Sequence, residues 1–135
     1  MSEQHVLETT TGPETLGELQ RTLDEVWSAH EVPDRVRMSM ELAVGEVGAN
    51  IIEHAGDGQP VQLRMEVALL EDSVKATLID DGHPARVDLS KVALPDELAE
   101  HGRGLAIALR VLDELTYRRE KGGNHWTLLC RLPVN

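Results

Sequence analysis

Two side chains four positions apart, Glu46 and Asn50, lie within residues 41–55, ELAVGEVGANIIEHA. On a helix, positions i and i+4 stack on one face, so this carboxylate and carboxamide look into the same space. They border the apolar stripe formed by Val36, Met40, Ala43, Val44, Val47 and Ile51. A carboxylate can take a proton from a nucleophile, and a carboxamide oxygen is a hard ligand suited to Mg2+ beside phosphates. Taken alone, the pair fits a plain solvated helix edge better, and only the motifs further along change that reading. Further along, Asp80-Asp81-Gly82-His83-Pro84 puts a carboxylate next to a glycine at the end of an apolar run. Such a carboxylate can accept from an exocyclic amine while the backbone comes close to a flat ring, although an ordinary Asp-Gly turn has the same residues. Gly102-Arg103-Gly104 then stands directly before an Ala- and Leu-rich helical run. Glycines at a helix start expose unsatisfied amide donors in a field of positive sign, which suits phosphate oxygens. Arg103 adds a guanidinium that could reach a terminal phosphate; the bland reading of these glycines is a flexible hinge.

The elements that must hold these groups follow from periodicity. Residues 5–9 read as a short strand, broken by Gly12-Pro13. Thr15 with Glu18 three positions on has the form of a capping box, opening an amphipathic helix over 15–30 with Leu16, Leu19, Leu23, Val26 and Trp27 on one stripe. Pro33 stops that helix and Asp34 is available to cap the next, which runs to about His54. Inside it Gly45 and Gly48 each cost roughly 1 kcal/mol relative to Ala, so something approaches closely there, a neighbouring strand as readily as a ligand. Residues 61–67 alternate strictly and pair with 74–79 as an antiparallel hairpin. Residues 87–101 hold Pro95, several acids and little periodicity, a length that in a compact domain usually serves function. A helix over 105–114 and a final hairpin, 116–120 with 124–132, complete the chain. The glycines of Lys121-Gly122-Gly123-Asn124 are expected to supply positive φ in its turn. Arg118, Arg119 and Lys121 read as a solvated surface of that hairpin, and Trp126 fits either the core or a partner interface.

Length and composition restrict the function classes. The 135 residues suffice for one core and one domain. Phe is absent and aromatics are 2%, so an aliphatic core is expected. A formal charge of −11 repels phosphate backbones and argues against nucleic acid as a partner, while local donors and a metal can still hold a nucleotide. No apolar run approaches the roughly 20 residues of a membrane span and no signal peptide opens the chain, so no membrane association is expected. The single cysteine, Cys130, excludes a disulfide scaffold, fits a cytoplasmic setting, and reads as packed rather than reactive.

Glu46 to Asn50 with Glu53-His54-Ala55, then Asp80-x-Gly82-x-Pro84, then Gly102-Arg103-Gly104-Leu105, resemble the three nucleotide-binding boxes of the GHKL (Bergerat-fold) ATPase and kinase superfamily. Within it the chain is most similar to small anti-sigma-factor serine kinases of the RsbW and SpoIIAB type, from about Asp34 to Leu132. The resemblance implies an α+β fold, a two-layer sandwich with helices on one face of a mixed, mostly antiparallel sheet. It implies one ATP-binding domain over 1–135 with an ATP lid at about 85–102. In the family's roles, Asp80 would recognise the adenine amino group and Gly82 would let the purine approach. Pro84, Leu105 and Gly102 to Gly104 would complete the nucleotide site with Arg103, and Thr127 would support the adenine pocket. Asn50 would hold Mg2+ and Glu46 would act as base, with Arg103 assisting catalysis; His54 reads as a structural residue at the helix end. The family has a Phe after the box at Pro84, where this chain has Ala85-Arg86. The implied partners are a sigma factor, a STAS-domain anti-anti-sigma factor phosphorylated on serine, and a second copy in a homodimer. A nucleotide-dependent binding switch with weak kinase activity is the alternative. A two-component histidine kinase domain is disfavoured, since the chain shows no upstream segment with a phosphoacceptor His.

Overall fold

The computed structural model describes residues 3–85, 89 and 103–133. Their element order is β1 (Glu3–Thr10), α1 (Thr15–Ala29), α2 (Asp34–His54), β2 (Gln62–Leu69), β3 (Ser73–Asp80), α3 (Arg103–Val111), β4 (Glu114–Glu120) and β5 (Gly123–Arg131). The strands form one sheet in the order β1-β2-β3-β5-β4, and all four pairings are antiparallel. The three helices cover one face: α1 lies against β1 and β2, α2 against β3 and β5, and α3 against α2 and β4. This is the expected two-layer α+β sandwich.

Alternation along the strands sets the two faces. Leu63, Met65 and Val67 of β2, Val74, Ala76 and Leu78 of β3, and Trp126, Leu128 and Cys130 of β5 are buried against the helices. From above they meet Leu19, Leu23 and Val26 of α1, the α2 stripe from Val36 to Ile51, and Leu105 and Ala108 of α3. The core is aliphatic as expected, with one exception. Trp126 is its largest buried side chain, its ring 4.7 Å from that of Tyr117, so this tryptophan belongs to the core. Cys130 is buried too, and burial pushes its thiol pKa up, as suits a packed residue.

Several local expectations are corrected. Thr15 is the first residue of α1, not its cap; its hydroxyl accepts from Gly12 N–H at 2.8 Å, while Glu18 accepts from Thr9 at 2.7 Å, so the two reach outward to preceding residues and no capping box forms. Leu16 is 46% exposed, one step off the buried stripe. Asp34 likewise starts α2 without capping it and pairs with Arg37. Helix α3 stops at Val111, and β4 begins at Glu114. In the β4–β5 turn the positive φ values fall on Lys121 and Gly122, leaving Gly123 to pair with Glu120 in the ladder. Two consecutive positive-φ residues match the right-handed twist of the flanking strands.

Candidate nucleotide site

The C-terminal half of α2 and the head of α3 pack together and bring the acid to the glycine. A Cβ built on Gly104 would fall inside the van der Waals shell of Glu46 Oε2. Only a residue with no side chain lets the carboxylate lie against the first turn of α3, and Leu105, buried beside it, anchors that turn in the core. Asn50 follows Glu46 by one helical turn, half-buried on the same edge. The carboxylate, the carboxamide and the amide-rich start of α3 thus share one end of the helical layer. The backbone of Arg103 opens α3. Gly102, the side chain of Arg103 and nearly all of the expected lid at 85–102 lie outside the described residues.

Asp80 ends β3 on the same face, 2% exposed. Its Oδ1 accepts twice, from Gly82 N–H and from Asn124 Nδ2, both at 2.9 Å. Its Oδ2 is buried without a hydrogen-bond partner among the described residues. A buried carboxylate oxygen left unpaired is costly and asks for a donor from outside the chain. An exocyclic amine of a base is such a donor, so the residues present fit an adenine nucleotide. Burial raises the Asp80 pKa above its ordinary value, while the Asn124 and Gly82 hydrogen bonds pull it down and the Asp81 charge pushes it up.

Other expected site residues fall differently. The space of a Cβ on Gly82 is filled by Ala55, whose carbonyl carbon would lie 2.7 Å away, and His83 N–H donates to Ala55 O at 2.7 Å. The end of α2 therefore requires this glycine on its own account. Pro84 is exposed. His54, the last residue of α2, is half-exposed at 3.6 Å from Glu53, in keeping with a helix-end residue. Thr127 is paired with Thr77 on the sheet face opposite the one that carries Asp80, because it alternates with the buried Trp126 and Leu128. Thr127 thus cannot line a pocket at Asp80, and the expectation is corrected.

The residue in that place is Asn124, 1% exposed and directly across from Asp80 in the β3–β5 ladder. Its Nδ2 also donates to His83 O at 2.7 Å, and its Oδ1 accepts from Tyr117 Oη–H and, at 3.2 Å, from Arg119. Arg119 donates in addition to Gly82 O at 2.6 Å, and Ala85 N–H donates to Tyr117 Oη at 2.9 Å. Arg119 is therefore bound to the backbone at Gly82, not merely solvated. One signal for Asn124 was present in the sequence: it shares strand parity with Trp126, Leu128 and Cys130. Among the described residues no cluster of three or more His, Cys, Asp or Glu could hold a metal ion, and no helix is long and apolar enough to cross a membrane.

Residues 9–129 match a family described as the histidine kinase-like ATPase domain. The chain is similar to the serine/threonine-protein kinase BtrW of Bordetella bronchiseptica, 28% identical over 127 residues, which is 88% of this chain and 84% of that relative. Its fold is similar to the solved RsbU and RsbW domains of Rv1364c from Mycobacterium tuberculosis, with a TM-score of 0.65 at 20% identity. That likeness covers 94% of this chain but 32% of the other, so this chain spans about a third of that longer protein. The histidine kinase domain of the Erythrobacter litoralis EL346 blue-light activated histidine kinase shares the fold at a TM-score of 0.54 and 22% identity, over 87% of this chain and 59% of that one.

Proposed function

This chain belongs to the histidine kinase-like ATPase domain family, and we propose that within it the protein is an ATP-dependent serine kinase that acts as an anti-sigma factor. It would hold a sigma factor inactive and phosphorylate a STAS-domain antagonist that otherwise displaces it, working in the cytoplasm as a homodimer of single-domain chains. The likeness to a serine/threonine-protein kinase over most of both chains supports the kinase class. The observation that carries nucleotide binding is the buried Oδ2 of Asp80, an acceptor the fold leaves for a ligand's donor.

In this reading Asp80 takes the adenine amine, and Asn50 would hold Mg2+, whose charge would neutralise the oxygens around the transferred group. The amides at the start of α3, with Leu105 fixing the turn, would offset charge that builds in the transition state, and Gly102 and Arg103 would take part as further phosphate-binding residues, with Arg103 assisting catalysis. Pro84 would border the nucleotide where the chain enters the lid. Glu46 accepts the proton of the attacking serine hydroxyl. The new bond joins that serine oxygen to the terminal phosphorus as the bond to the bridging oxygen breaks, leaving ADP and phosphoserine.

Incubation with labelled ATP, Mg2+ and a cognate STAS protein is expected to label serine. Glu46→Gln should lower the labelling rate by about 10²-fold or more while ATP still binds. ATP binding with no protein ever labelled would replace the kinase by a nucleotide-dependent binding switch, and an acid-labile label on histidine would overturn the class.

A further inference from the structure

Asn124 has spent all its hydrogen-bonding capacity: two N–H groups on Asp80 Oδ1 and His83 O, two lone pairs on Tyr117 and Arg119. Its orientation is not free. Tyr117 Oη can serve as donor or acceptor, but a guanidinium only donates, so the amide oxygen must face Arg119 and the nitrogen must face Asp80. With Gly82 N–H, that nitrogen saturates Oδ1 of Asp80 and leaves Oδ2 as the single acceptor. The polarity of the base-reading atom is thus dictated from β4 and β5, by residues that need not touch the base.

We propose that Asn124, locked by the His83 carbonyl and by Arg119, is a positioning residue that sets the base specificity of the site by making position Oδ2 of residue 80 the only one open to a purine. This rests on the nucleotide site proposed above and adds a consequence that site alone does not have. An amide placed at residue 80 would be turned by Asn124 in one direction: its oxygen toward the Asn124 nitrogen, its own nitrogen at the open position. The site would then offer a donor where it had offered an acceptor, and would favour a 6-oxo purine over a 6-amino purine.

The test is the ratio of ATP to ITP affinity, measured with Mg2+ by calorimetry on the full chain. The wild-type protein is expected to prefer ATP, and Asp80→Asn to lower the ATP-to-ITP ratio by about tenfold or more, the equivalent of one charge-assisted hydrogen bond gained or lost. Adding Asn124→Ala to that variant frees the new amide to turn, with Gly82 N–H as its only remaining orienting donor, and should raise the ratio again by about threefold or more. Asp80→Asn combined with Asn124→Asp keeps acceptors for Tyr117 and Arg119 but offers residue 80 an oxygen in place of the Asn124 nitrogen, and should act in the same sense even where the Ala variant does not fold. A wild-type ratio retained in Asp80→Asn, or the same ratio in the single and both double variants, overturns the role of Asn124 and leaves nucleotide binding standing. Failure of the wild-type chain to bind either nucleotide removes the site itself.

Discussion

At the scale of single residues, the site is a set of groups held in states that the isolated side chains would not choose. Asp80 is the clearest case. Burial raises its pKa, so the folded chain holds this proton at a higher pH than the unfolded chain does. At neutral pH the ionised group therefore costs stability, and that cost is relieved as pH falls through the raised value toward the ordinary carboxylate range. Two outcomes follow with opposite signs. Without nucleotide, Asp80→Asn is expected to raise Tm at pH 7, with the gain shrinking in acid, as followed by circular dichroism. Affinity of the wild-type protein for ATP should fall on acidification, because a protonated carboxyl loses its acceptor for the amine, as titration calorimetry across that range will show. The placement of Asp80, Glu46 and Asn50 was legible in the sequence because one helix or one strand end converts spacing directly into position. Asn124 was not, since its partners Tyr117, Arg119 and His83 come from two other elements and the pairing depends on a turn register that the four residues Lys121 to Asn124 leave open.

The two glycines of α2 separate packing from proximity at the scale of the element. On Gly48 a Cβ would lie 2.7 Å from Leu19 Cδ1, so α1 crosses α2 at that glycine. On Gly45 a Cβ would meet nothing within 4 Å among the described residues. Gly48→Ala is expected to destabilise the protein by about 1–3 kcal/mol through forced displacement of Leu19. Gly45→Ala should stabilise it by up to about 1 kcal/mol through helix propensity alone. Urea denaturation of the two variants side by side checks both, and equal shifts would contradict this account of the α1–α2 contact. The sequence led to a close approach at both glycines by a strand or a ligand, whereas the neighbour is a helix and meets only Gly48 among the described residues. The sequence could not say which glycine would be met, because the crossing point depends on where α1 lands. The helix starts were misread for a related reason: Thr15 and Glu18 have better partners in Gly12 and Thr9 than in each other once β1 is paired in the sheet.

For the molecule as a whole, a net charge of −11 spread over 135 residues is self-repelling. Raising ionic strength from about 10 mM to about 300 mM shortens the screening length several-fold and is expected to raise Tm, read by differential scanning calorimetry. The layered α+β architecture was legible because alternation and helical period mark nearly every element; the sheet order was not, since nothing local says that β5 enters between β3 and β4. That insertion governs how the protein comes into being. Strand β5, made after the other described elements, supplies both the Asn124 that meets Asp80 and the ladder that joins β4 to the rest. A nascent chain halted before Gly123 leaves the β3 edge open, β4 without its sheet partner, and Asp80 with the Gly82 N–H alone to steer it. The base reading proposed above would therefore be withheld until β5 has been made, and a half-made copy would lack the pocket with which to compete for nucleotide.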